Sequence, residues 1–264
     1  MNRGLLIVLI AICAIVFGIS AYKLIAYYSA DRAAEKEFAE LLPDFGEEDP
    51  AGDVPGVDWL SYETLLPYYE DLKKANDDFV GWLRIPDTRI SYPVMQTLNS
   101  PEYYLDKDFK KQYSASGTLF AASICDVDMP SDVVTIYGHR MKTGAMFGSM
   151  GDFLEQDFFA EHEDVIFDTL SGRGEYKIYC LFSEAVGTGN EFAYYLYSVF
   201  PDEGFFDDFL GRMKGFMQIE NPLYEPVYGD KVLFLSTCEY THENGRLVMA
   251  AVRVEEGKRV LGIG

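Results

Sequence analysis

From residue 59 onward, apolar and polar positions alternate in short runs. FVGWLR and ISYPVMQ flank a Pro-Asp turn, and β-branched or aromatic runs follow at SGTLFAAS, DVVTIYGH, DVIFDTL, EYKIYCLFSEAV, DKVLFLSTC and RLVMAAVRV. Short strands separated by turn-rich pieces predict an all-β barrel or sandwich rather than repeating βαβ units. Two stretches, MFGSMGDFLEQDFFAEH (146–162) and AYYLYSVFPDEGFFDDFLGRMKGFMQ (193–218), instead space their apolar residues at the helical period, the second interrupted at Pro201. Their aromatic stripes are expected to face the core. A shorter helical piece, LSYETLLPYYEDLKKANDD, precedes the first strand and is expected to break at Pro67.

The N-terminus follows a third pattern. Residues 5–22, LLIVLIAICAIVFGISAY, form an uncharged run of eighteen, enough for a helix to cross roughly 30 Å of hydrocarbon. The run exceeds the roughly 7–15-residue core of a secretory signal and lacks a small-x-small cleavage site, which predicts an uncleaved anchor. Arg3 on one side and Lys23, Arg32 and Lys36 on the other orient it only weakly. Residues 29–42 have helical composition, and PDFGEEDPAGDVPGVD (43–58) concentrates proline, glycine and acid as a mobile spacer does. The expected division is a membrane anchor over 1–28, an acidic helical and linker spacer over 29–58, and a globular domain over 59–264.

Charge narrows the partners. With 43 acidic against 22 basic side chains, a net −21, the chain repels nucleic acid and gains no counterion release from it. The spacer would hold so acidic a domain off anionic lipid head groups. The four cysteines, Cys13, Cys125, Cys180 and Cys238, are too few and too irregularly spaced for a disulfide framework, and no metal-ligand spacing is present. Cys125 and Cys180 read as small buried hydrophobes, with a mutual disulfide as the alternative. Asp126 and Asp128 read as solvated acid rather than a calcium loop, and no metal or cofactor is expected.

The chemistry concentrates in LSTCEYTHENGRLVMAAVRV (235–254). Cys238 ends one strand, Arg246 begins the next, and Asn244-Gly245 between them tolerates the positive φ of a tight turn. A hairpin of this kind brings Cys238 and Arg246 together. Cys238 is then either a buried structural thiol or a nucleophile, and a nucleophile needs a base and a positive charge nearby. Of three histidines, His242 sits in the predicted turn and His162 follows the acidic AEHED stretch as a surface residue. His139 ends the run VVTIYGH at a strand terminus, with Gly138 permitting close approach. Arg246 is either a plain strand-start arginine or a permanently charged donor for a carbonyl oxyanion.

These residues resemble the sortases, membrane-anchored cysteine transpeptidases of Gram-positive bacteria, and most closely their class B. The resemblance is carried by LSTC (235–238), Arg246, YGHRM (137–141) with GAMFGSM after it, and NDDFVGWLRIPDTRISYPVMQTLNSPEYYLDKDF (76–109), together spanning about 76–254. It implies a mainly β fold, a closed sortase-type barrel of about eight strands with peripheral helices, preceded by the N-terminal transmembrane helix. A helix-bearing insertion before the last two strands falls on 193–218. The resemblance further implies Cys238 as nucleophile, His139 as general acid/base, Arg246 as oxyanion stabiliser, and Asn99 and Ser236 in the substrate groove. Ala122 and Arg140 depart from the acidic residue and the asparagine that many members carry there.

The implied reaction is transfer of surface proteins, cut after the threonine of a C-terminal sorting pentapeptide, to a peptidoglycan amine through a thioester. The implied partners are the sorting peptide, a lipid-linked or cross-bridge peptide amine, and the membrane; the catalytic domain would lie outside the cell. Pilin polymerisation is an alternative of the same chemistry, and a tethered non-catalytic wall-binding domain one of a different class. An L,D-transpeptidase is disfavoured by Thr237 before the cysteine and by the gap to Arg246.

Overall fold

The computed structural model describes residues 3–42, 60–187, 192–239 and 245–254. Helix α1 (Arg3–Ala39) is one unbroken rod, of which Arg3–Ala26 is long and apolar enough to cross a membrane, with mean hydropathy 2.9 and none of it buried. Its last turns are different in kind. Ala34 and Phe38, with Leu42 just beyond, are buried against the globular domain, and the Phe38 ring meets Tyr92 edge-on at 5.7 Å. The helical half of the stretch expected as a spacer is therefore docked; residues 43–58 lie outside the described residues.

Helix α2 (Tyr62–Ala75) is capped by Ser61, whose hydroxyl accepts from the Thr64 N–H at 3.3 Å, and it runs straight through Pro67. The expected break does not occur. Leu65, Tyr69 and Leu72 are buried along one face, and that packing outweighs the lost hydrogen bond.

All eight strands expected from alternation form: β1 (Phe79–Arg84), β2 (Ser91–Met95), β3 (Leu119–Ala121), β4 (Val133–Tyr137), β5 (Asp164–Thr169), β6 (Gly172–Ala185), β8 (Val232–Glu239) and β9 (Gly245–Val254). A further strand, β7 (Met217–Glu220), begins on the last two residues of the stretch 193–218 read as helical and runs past it. In the order β5-β1-β2-β3-β4-β8-β9-β6 the eight close into a barrel through the β5–β6 pairing, and β7 extends β6. The ring is antiparallel except at β2–β3 and β4–β8.

The wall separates two cores. On β8, Leu233 and Leu235 join Ile136, Met249 and Ala251 in one cluster, while Val232 and Phe234 join the other. The second core is covered by the insertion, whose helix α4 (Glu203–Lys214) starts at the Asp202 cap right after Pro201 and buries Phe206, Phe209 and Met213. Residues 146–162 form a 3-10 turn (Gly148–Leu154) and helix α3 (Gln156–Glu161). Cys125 and Cys180 are free buried thiols in different cores, so the disulfide alternative is excluded.

Candidate active site

Strands β4 and β8 run side by side in the same direction, with Tyr137 opposite Ser236. Past that pair the register continues, because the Gly138 N–H donates to the Ser236 carbonyl at 3.1 Å. His139 follows two residues after the end of β4. On the other side of β8 the antiparallel pairing sets Arg246 opposite Cys238. Cys238 and Arg246 thus face each other across β8 and β9, and His139, just past the end of β4, lines the same cleft as Arg246. The described residues include the backbone of Cys238 and not its side chain; His242 and the turn expected at Asn244 lie outside them.

Local packing holds both His139 and Arg246. A side chain at Gly138 would collide with Leu119 and with the Phe147 ring, so only glycine lets the chain approach this closely before His139. The Phe147 N–H donates to the His139 carbonyl at 3.0 Å. The imidazole is half-buried, with Nε2 2.7 Å from the Leu105 carbonyl oxygen. Arg246, also half-buried, donates from Nη1 to the Gly245 carbonyl at 3.0 Å.

Here opens a cleft of about 470 Å³ whose walls include His139, Ser236, Thr237 and Arg246. Leu105, Phe120, Ala122 and Ile124 line it together with Val186, Tyr194 and Tyr195 from the insertion and its approach. Ala122 leaves this part of the wall apolar. The cleft suits an extended peptide with apolar side chains and a reacting carbonyl between an imidazole and a guanidinium. Ser236 is buried and its Oγ lies 2.6 Å from the Tyr194 hydroxyl. Burial pushes the Tyr194 phenol up to about 12, with the Ser236 hydrogen bond and the Arg246 charge pulling the other way. Thr237 Oγ1 is buried in the cleft wall with no hydrogen-bond partner among the described residues.

Asn99 is exposed in the loop ahead of the cleft residues Pro101 and Glu102 and is not itself in the wall. His162 is half-buried rather than a free surface residue: it stacks on Phe158 at 4.0 Å, with Nδ1 2.9 Å from the Phe158 carbonyl. Tyr194, Tyr195, Leu105 and Thr237 were missed as cleft residues. For Thr237 the signal was its place beside Cys238; for the tyrosines an aromatic stripe reads as core.

Residues 83–254 match the model of the Sortase domain. The chain belongs to the sortase family. Among curated relatives it is 33% identical to Sortase B of Listeria monocytogenes over 182 residues, covering 68% of this chain and 71% of the relative. It is 26% identical to Sortase B of Staphylococcus aureus over 255 residues, covering 95% and 97%. A solved sortase B complexed with triglycine superposes with a TM-score of 0.65 at 25% identity, covering 72% of this chain and 87% of that one. The chain is accordingly a class B sortase, a cysteine transpeptidase, and its closed eight-strand barrel is the one expected from the resemblance.

Proposed function

We propose that this sortase cuts the C-terminal sorting pentapeptide of surface proteins after its threonine and joins the new carboxyl end to a peptidoglycan amine. The pairing of Arg246 opposite Cys238, with His139 lining the same cleft as Arg246, is the observation that carries this reading. The Cys238 thiolate attacks the threonine carbonyl while Arg246 donates to the oxyanion. Protonated His139 gives its proton to the leaving nitrogen as the C–N bond breaks, and a thioester remains. An incoming amine adds to the thioester, loses a proton to His139 and expels the thiolate. A relative solved with triglycine supports an acceptor that offers a free amino group. Asn99 and Ser236 are assigned to the groove, Ser236 from within its wall and Asn99 from the loop before it. The apolar run of α1 supports single-pass anchoring with the barrel outside the cell, where sorting peptide and wall precursor meet.

The test uses quenched-fluorescence pentapeptides with proline second and threonine fourth, and triglycine as acceptor. Cys238→Ala is expected to abolish cleavage and thioester capture, His139→Ala to lose turnover by about 100-fold or more, and His242→Ala to behave as wild type. Normal turnover by Cys238→Ala would end the proposal.

A further inference from the structure

The 3-10 turn Tyr103–Asp106 forms one lip of the cleft, and it holds a polar group that the proposed chemistry has not used. The Leu105 main-chain carbonyl lies 2.7 Å from His139 Nε2. A carbonyl oxygen only accepts, so in this contact Nε2 carries the hydrogen. The carbonyl is held in place from behind. The Leu105 N–H donates to the Glu102 carbonyl at 3.0 Å, and the neighbouring Tyr104 carbonyl accepts from the Thr118 N–H at 3.0 Å. The Tyr104 side chain is fully buried and hydrogen-bonds Asn76 and Asp78. Gly117, at φ +60, backs directly onto this turn: a Cβ there would stand 2.5 Å from the Leu105 oxygen and 2.7 Å from the Tyr104 oxygen.

We propose that the Leu105 carbonyl fixes His139 as the Nε2–H tautomer, so that the ring exchanges protons with substrate through Nδ1, and that Gly117 is the positioning residue that keeps this carbonyl in place. The proposal rests on the reading of His139 as acid/base and says which nitrogen does the work. In acylation the imidazolium gives the Nδ1 proton to the leaving nitrogen and becomes the neutral Nε2–H ring. In deacylation Nδ1 takes a proton from the attacking amine as the C–S bond breaks, restoring imidazolium and thiolate. Nε2 keeps its hydrogen throughout, so the ring need not turn over between the half-reactions.

The test is long-range proton–nitrogen NMR on the full chain, labelled with ¹⁵N-histidine in detergent micelles, at a pH where the ring is neutral. A His139→Ala sample identifies the His139 signals among the three histidines. A protonated Nε2 with a bare Nδ1 is the expected result; a proton on Nδ1, or an even mixture, overturns the proposal. Gly117→Ala is expected to abolish the tautomer preference and to lower kcat by about 100-fold, with a smaller change in KM, because misplacement by about 1 Å is enough to disable proton transfer. A Gly117→Ala protein that keeps both tautomer and kcat also overturns it. If that variant does not fold, the wild-type spectrum decides alone. Full turnover by His139→Ala would remove the acid/base reading itself, whereas an inactive His139→Ala with an Nδ1–H wild-type ring removes only this proposal.

Discussion

The Tyr194–Ser236 hydrogen bond, at 2.6 Å, ties the insertion to the strand that carries the candidate nucleophile. Both side chains are buried, so removing one partner strands the other. Tyr194→Phe should therefore cost about 1–3 kcal/mol in denaturant unfolding. The phenol is raised in the folded state from 10.0 to about 12. A raised folded value gives a contribution fully present below pH 10 and lost as pH rises toward 12. Wild type should thus lose stability across that alkaline window more steeply than Tyr194→Phe, and cleavage between pH 6 and 9 should not change shape. A variant as stable as wild type at pH 7 would show that the bond is dispensable. The serine was legible as a groove residue only through the LSTC resemblance. That its hydroxyl is already engaged was not, because the partner lies 42 residues upstream in a stretch that reads as core.

At the scale of elements, alternation exposed every strand of the ring, because each buries at least one face. Strand β7 escaped because it is four residues long and only half-buried on alternate positions, within a run dominated by helix-spaced aromatics. Beyond the pairing of the last two strands, which brings Cys238 to Arg246 as expected, strand pairing was equally out of reach. The segment DVIFDTL reads as a strand with a polar interruption, and the structure explains the interruption. Asp168 is fully buried and meets Arg84 Nη2 at 2.9 Å, Arg173 Nε at 2.9 Å and the Tyr69 hydroxyl at 3.0 Å. One carboxylate thereby joins β1, β5, β6 and α2, the last pinned over the barrel by Tyr69. Asp168→Ala leaves the buried Arg84 without its anion, a loss of about 3–5 kcal/mol. The measurement is the urea midpoint, with Lys74→Ala as control because its pair with Asp71 is exposed and worth little. Equal midpoints for the two variants would refute a structural role for Asp168.

For the whole molecule, the decisive contact is the one between α1 and the barrel. Composition correctly marked an apolar span followed by helical residues, but an acidic segment of that kind reads as solvated, and only the fold reveals what it meets. Phe38 enters the main core beside Tyr92, while Glu35 pairs with Arg89 at 2.9 Å and Glu37 with Lys110 at 2.8 Å. From the end of the apolar span at Ala26 to Phe38 the rod rises about 18 Å at 1.5 Å per residue. If the span is embedded as proposed, the barrel sits at a set height rather than swinging on a tether. The apolar contact should dominate this docking, since burying a phenylalanine outweighs partly exposed ion pairs. Phe38→Ala is expected to lower the stability of the full chain in micelles by about 3 kcal/mol, and Glu35→Ala by less than about 1 kcal/mol. Limited proteolysis should also cut within 29–42 in Phe38→Ala while sparing wild type. A Phe38→Ala protein with wild-type stability and resistance would mean that α1 does not dock, and the set height would fall with it.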